Sequence, residues 1–241
     1  MKKIALIFIF SLLSMIHAES KTAMMNSETK EVFAKITKAL NITPKVLEIK
    51  SMTQVGKILM PAMKIQGLVS VKTKGDKILI ESKMAGMVET QAIDGDKGWA
   101  SSMSTGVREL SVAEVLTLQG DSLKYIFNQE AFYDTIKLEG KEIFNKQECL
   151  KIVFTKEGLD PSIQYFDPKT FLPIGEIQVL ASPMGKMTAT IIVQKLVKHE
   201  LGFLYPKNIE QSIGPMKMTI TIDSFKMNIP LSDDIFKKPA Q

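Results

Sequence analysis

From residue 64 to residue 227 the chain alternates apolar and polar residues with a period of two, broken by short turns and a few helix-like segments. Successive side chains of a strand point to opposite faces, so this pattern demands sheet with one oily and one wet face. Residues 64–73 send Ile65, Val69 and Val71 one way and Lys64, Gln66, Ser70 and Lys72 the other. A KGD turn follows at 74–76. The next run reads as one strand, with Ile78, Ile80, Met84 and Val88 on one face. DGDKG at 94–98 is a hairpin signal, with Trp99 as an aromatic anchor where the next strand starts. Further alternating runs, at 135–139, 149–155, 162–166, 174–180, 187–197, 206–213 and 216–227, make about ten antiparallel strands in one meander.

Such a sheet must curl, and its apolar concave face needs a cover. Three segments supply one. Residues 26–41 place Val32, Phe33, Ile36 and Leu40 at helical spacing, with Ser27 as N-cap and Asn41 as stop. Ser111 and Glu114 have the spacing of a capping box, and Val112, Val115 and Leu116 follow. Residues 121–135 suggest a third helix, with Leu123, Ile126, Phe127 and Phe132 on one side. The fold class is therefore α+β. Helices that seal the sheet would give a plain packed domain; helices that leave room would give an apolar cavity.

Residues 1–18 are expected to be a signal peptide. Lys2 and Lys3 precede an apolar run from Ile4 to Ile16 that is too short for a membrane span, and Ala18 offers a small residue for cleavage. That leaves one domain, 19–241, expected to be exported. Cleavage removes two lysines and no acid, taking the formal charge from +5 to +3. Arg108, the single arginine, is read just ahead of the second helix and outside the strands. Scattered lysines with one arginine argue against nucleic acid as a partner, since its readers rely on arginine forks. Cys149, the single cysteine, allows no internal disulfide and is read as a strand residue.

Catalytic chemistry finds little support. His199 is the only histidine after residue 18, and its neighbour Glu200 would point the other way in a strand. The sequence has no G-x-S-x-G, H-E-x-x-H, C-x-x-C or P-loop, so the expectation is a non-enzyme without cofactor or metal. The methionines offer one alternative. Met60/Met63 and Met184/Met187 are M-x-x-M pairs and Met216/Met218 is M-x-M, and thioethers suit Cu(I). The simpler reading makes them strand entries whose flexible side chains fill an oily face.

The order of turns resembles the LolA-like outer-membrane lipoprotein-sorting proteins. The matching residues are Asp76-Lys77, then Asp94-Gly95 with Trp99, then YFDPKTFLPIGE at 165–176. Gly202 with Pro206, Asn228 with Leu231, and Asp233 with Phe236 and Pro239 continue the likeness, which spans about residues 45–239. The resemblance implies an unclosed, curved antiparallel β half-barrel whose lid helices cover the concave apolar face. It implies a periplasmic carrier of lipid or acylated lipoprotein, with a membrane-complex donor and an outer-membrane acceptor as partners. The cavity is then expected to be lined by Ile65, Val69, Val71, Ile78 and Ile80 from the first strands. Met84, Met187, Ile191, Ile220 and Ile222 would line it from later ones. Val32, Phe33, Ile36, Leu40, Val115 and Leu116 would form the lid. The alternative in another class is a protein-binding or assembly subunit with a sealed core.

Overall fold

The computed structural model describes residues 22–182 and 185–239. The expected signal peptide, 1–18, and Met184 lie outside the described residues. Thirteen strands form one sheet: β1 Met52–Met60, β2 Ile65–Lys74, β3 Lys77–Met84, β4 Met87–Asp94, β5 Lys97–Ser102, β6 Gly106–Glu109, β7 Thr135–Phe144, β8 Gln147–Thr155, β9 Ser162–Phe166, β10 Pro173–Ser182, β11 Gly185–Lys198, β12 Leu204–Ile213 and β13 Met216–Met227. The order is β6-β5-β4-β3-β2-β1-β13-β12-β11-β10-β9-β8-β7, and every ladder is antiparallel. Two meanders run outward from a central seam, where β1 meets β13, to the edge strands β6 and β7; the β7 edge is met by Met24, which bridges Thr135, and by Thr29 Oγ1, which accepts from Leu138 N. The sheet is open, as a half-barrel requires.

The extra strands come from turns hidden inside runs that look continuous. The run after residue 76 breaks at Ala85 and Gly86, both with positive φ, so β3 ends at Met84 and β4 begins at Met87. Met84 pairs with Met87 across this turn. The break reverses the parity expected for Val88: Met84 packs beside the concave core, whereas Val88 is 40% exposed. Arg108 is also reassigned. It lies in β6, paired with Ala100 of β5, because the chain makes one more short hairpin before the helix begins.

Helix α1, Ser27–Leu40, is capped by Asn26, whose Oδ1 accepts from Thr29 N at 2.8 Å, rather than by Ser27. It stops at Asn41, in the left-handed conformation (φ 56°). A single turn, α2 Pro44–Leu47, follows it. Helix α3, Val112–Gly120, carries the expected capping box: Ser111 Oγ accepts from Glu114 N and Glu114 Oε2 accepts from Ser111 N. The expected third helix is two single turns, α4 Leu123–Ile126 and α5 Gln129–Phe132. Asn128 between them leaves the helical region (φ −148°, ψ 60°) and interrupts the i to i−4 ladder.

The convex face is not simply wet. The segment after β13 folds back across it, and Leu231, Ile235 and Phe236 pack on Leu79, Ala92 and Trp99. Trp99 Nε1 donates to Phe236 O at 2.8 Å, and Asp233 bridges Lys74 and Lys77, both at 3.2 Å. Trp99 thus anchors the C-terminal strap as well as its own strand. Asn228 turns the chain into this strap: its Oδ1 accepts from Lys50 N and its own N–H donates to Ser51 O. Asp167 similarly caps the β9–β10 link, accepting from Lys169 N, Thr170 N and Thr170 Oγ1. Cys149 is buried on the convex side with Phe144 and Tyr165, where burial pushes its thiol up.

Candidate functional site: the covered concave face

Two apolar compartments fill the concave face. The first lies under α3. Val115 and Leu118 pack on Ile58, Met60, Val69, Val71, Ile78, Ile80, Leu180, Ile191 and Ile220. The second lies under α1, α2 and α4. Phe33, Ile36, Leu40, Val46, Leu123 and Phe127 pack on Met52, Ile136, Ile152, Phe154 and Phe166. Both helix stripes therefore turn toward the sheet, since residues three and four apart share a helix face.

The expected cavity residues meet on this face. Val69, Val71, Ile78, Ile80, Ile191, Ile220 and Ile222 are buried, while Ile65, Met84 and Met187 are half-buried at one end of the first compartment. Among the lid residues, Phe33, Ile36, Leu40 and Val115 are buried and Val32 packs beside the second compartment. Leu116 turns toward Gly158 instead: a Cβ on that glycine would come within 3.0 Å of Leu116 Cδ1. The one face is thus served by two covers, α1 and α3, on two separate patches.

The half-buried end is built from methionine. The hairpins β1–β2, β3–β4, β5–β6, β10–β11 and β12–β13 all turn at the same end of the sheet. They carry Met60, Met63, Met84, Met87, Met103, Met187, Met216 and Met218 in or beside their turns. Four of these, Met60, Met63, Met84 and Met87, line one pocket of about 50 Å³ with Ile65, Ser82, Ala85 and Glu89. Gly67 makes this packing possible. It pairs with Met84, and a Cβ there would sit 2.1 Å from Met84 Cγ, so only glycine lets that side chain lie across β2. The repeated Met-turn-strand phrase thus marks one rim of the half-barrel.

Between the compartments lies a polar belt. Gln54 stands on β1 between Met52 of one compartment and Ile58 of the other. Glu176 and Gln178 of β10, and Ser162 and Gln164 of β9, sit on the same buried face, below Asp121 and Ser122 at the α3–α4 junction. Ser162 Oγ donates to Glu176 Oε1 at 2.6 Å. Burial, and then the nearby charge of Glu176, push the Asp121 carboxyl well above its usual range. The Tyr133 phenol is pushed up by burial, then by Glu176 and Asp121. Nothing in the alternation announced this belt, because glutamines and serines spaced two apart read as the wet face.

One ion pair ties a cover to the sheet. Arg108 of β6 forks onto Glu114 of α3, Nη1 to Oε2 at 3.0 Å and Nη2 to Oε1 at 2.5 Å. Burial raises Glu114, but hydrogen bonds from Arg108 and Ser111 outweigh it and hold the carboxylate below its ordinary range. His199 is structural. Its Nδ1 accepts from Leu201 N at 3.1 Å within the β11–β12 turn, and its ring stacks on Phe203 at 4.7 Å. Among the described residues, no group of three His, Cys, Asp or Glu side chains could hold a metal ion. Nor, among them, is any helix long and apolar enough to cross a membrane.

No protein-family model matches the chain, and no curated protein matches it. Solved structures do. A LolA superfamily protein from Nitrosomonas europaea superposes with a TM-score of 0.57 at 15% identity, covering 87% of this chain and 97% of that one. A DUF1329 family protein from Desulfovibrio piger gives 0.55 at 12% identity, covering 88% and 98%. A domain described as an outer-membrane lipoprotein-sorting protein from Vibrio parahaemolyticus gives 0.54 at 13% identity, covering 88% and 97%. The chain has the LolA-like fold, an open antiparallel half-barrel under helices. At these identities the likeness is one of architecture, and the side chains of the face are this chain's own.

Proposed function

We propose that the protein is a periplasmic lipid carrier: exported by a signal peptide at residues 1–18, it folds as a single domain, 19–241, that holds acyl chains of lipids or lipoproteins on the concave face for transfer toward the outer membrane. The observation that carries this reading is the concave face itself. It is an apolar floor under two separate helical covers, and it ends at a methionine-lined rim. Each methylene of an acyl chain taken out of water contributes about 0.8 kcal/mol, so affinity needs few polar contacts. Methionine adapts to chains of different shape. The floor residues are packed against the covers, so the described form is the closed one. Cargo entry requires α3 to lift, and the Arg108–Glu114 fork opposes that motion. A carrier of this kind has no catalytic step.

Two measurements test the reading: native mass spectrometry of the purified protein with lipid extraction, and displacement of a fluorescent fatty acid. Co-purified lipid and saturable displacement are expected, with faster uptake by Arg108→Gln. No lipid and no displacement would favour the sealed protein-binding subunit. A second reading, soft-metal binding, draws on the four thioethers that meet at the rim pocket. Titration with Ag(I) of the native chain and of a Met60→Leu/Met84→Leu variant decides it; equal affinities rule it out.

A further inference from the structure

The polar belt gathers five of the buried side-chain atoms that lack a hydrogen-bond partner, and each such atom calls for an explanation. Asp121 Oδ2, Ser122 Oγ, Gln54 Oε1, Gln164 Nε2 and Gln178 Nε2 are all buried without a partner. Asp121 is 3% exposed and caps the C-terminal end of α3, where the helix dipole already disfavours a negative charge. The second carboxylate, Glu176, is 0% exposed. Among the described residues no lysine or arginine pairs with Asp121, and the like charge of Glu176 adds to the effect of burial. Asp160, on the wall of the cavity beside Asp121, is engaged by Lys186 at 2.7 Å. Asp121, Tyr133, Ser162 and Gln178 line a cavity of about 30 Å³, with Phe132, Leu159 and Val179 as its apolar walls. That is room for one water-sized group.

We propose that this cavity is a head-group site for a primary ammonium, bound by Asp121 Oδ2 with Glu176 behind Ser162, while the attached apolar chain lies in the neighbouring compartment. The inference rests on the carrier reading and gives it a polarity. A buried carboxylate such as Asp121 gains most from a hydrogen-bonding cation, which supplies both an opposite charge and three donors. Ser162 already fixes one Glu176 oxygen, leaving Asp121 Oδ2 as the open acceptor. A carboxylate head group would bring a further negative charge beside Glu176 and Asp121, where burial already disfavours one. A carboxamide can present oxygen or nitrogen by a half-turn, so Gln178 serves the carbonyl or hydroxyl that follows the ammonium.

The test is calorimetric titration of the native protein and of Asp121→Asn with dodecylammonium, dodecanol and dodecanoate. The expected order for the native protein is ammonium over alcohol by about tenfold, with carboxylate weakest. In Asp121→Asn the order collapses while dodecanol affinity stays within about twofold, which excludes misfolding as the cause. Equal affinity for dodecanoate and dodecylammonium, or an order that survives in Asp121→Asn, overturns the site and leaves the carrier reading intact. Binding of none of the three overturns both. Lysophosphatidylethanolamine and lysophosphatidylglycerol of equal chain length then separate the sources. Preference for the former assigns the ammonium to a phospholipid head group; preference confined to dodecylammonium assigns it to a free amine.

Discussion

Replacing Arg108 and Glu114 by glutamine, singly and together, isolates the tie between α3 and the sheet. The fork makes two charged hydrogen bonds, and its side chains are 27% and 10% exposed. Bonds to charged groups contribute about 1.5–3 kcal/mol when well buried, and exposed pairs about 0.2–1. With one partner buried and the other a quarter open, a coupling of about 1–2 kcal/mol is expected, a factor of about 5–30 in the equilibrium. Glutamine at 114 still completes the capping box with Ser111, so the cycle removes the charge pair and spares the cap. Urea unfolding of the four chains at neutral pH measures the coupling, and amide exchange in α3 tests whether the helix opens locally first. The pH dependence follows in sign. Glu114 titrates lower folded than unfolded, so its contribution is fully present above the unfolded carboxylate value, about 4.3. It is lost as pH falls through the depressed folded value. A coupling below about 0.5 kcal/mol, the ordinary error of additivity, would refute the latch. So would a coupling that persists at about pH 2.

Asp121→Asn should raise stability at pH 7, because the folded carboxyl titrates above its unfolded value and the protein loses stability as pH rises from about 4. That gain should vanish in urea titrations below about pH 3.5, and its absence at neutral pH would contradict the burial argument. Trp99→Phe keeps the ring but orphans the buried Phe236 carbonyl, a loss of about 1–2 kcal/mol by denaturant unfolding; Phe236→Ala, which empties a fully buried site, should cost about 3–5. Gly175→Ala places a Cβ 2.2 Å from Ile191 O, a backbone atom that cannot turn aside, so a loss of at least about 2 kcal/mol in thermal or urea unfolding is expected.

Period-two alternation carried most of the architecture. It settled an antiparallel sheet with one oily face, because strand geometry leaves no other way to bury every second side chain. The Ser111–Glu114 spacing and Asn41 marked helix ends, since caps are local chemistry. Ile191 and Ile220 were legible as floor residues for the same reason. Other features depended on contacts distant in sequence. Two-residue turns such as Ala85-Gly86 add or remove a strand without disturbing composition, which is why Val88 changed face and Arg108 became a sheet residue. The chain's return also decides which strands meet at the seam. Ile58 and Ile220 are 162 positions apart yet adjacent in the ladder. The polar belt is the clearest case. Gln164, Glu176 and Gln178 look like wet-face residues in sequence, and only the covers above them turn that stretch of sheet into interior. Burial is a property of what lies over a residue, and here α3 and α4 come to lie over residues 38 positions and more away.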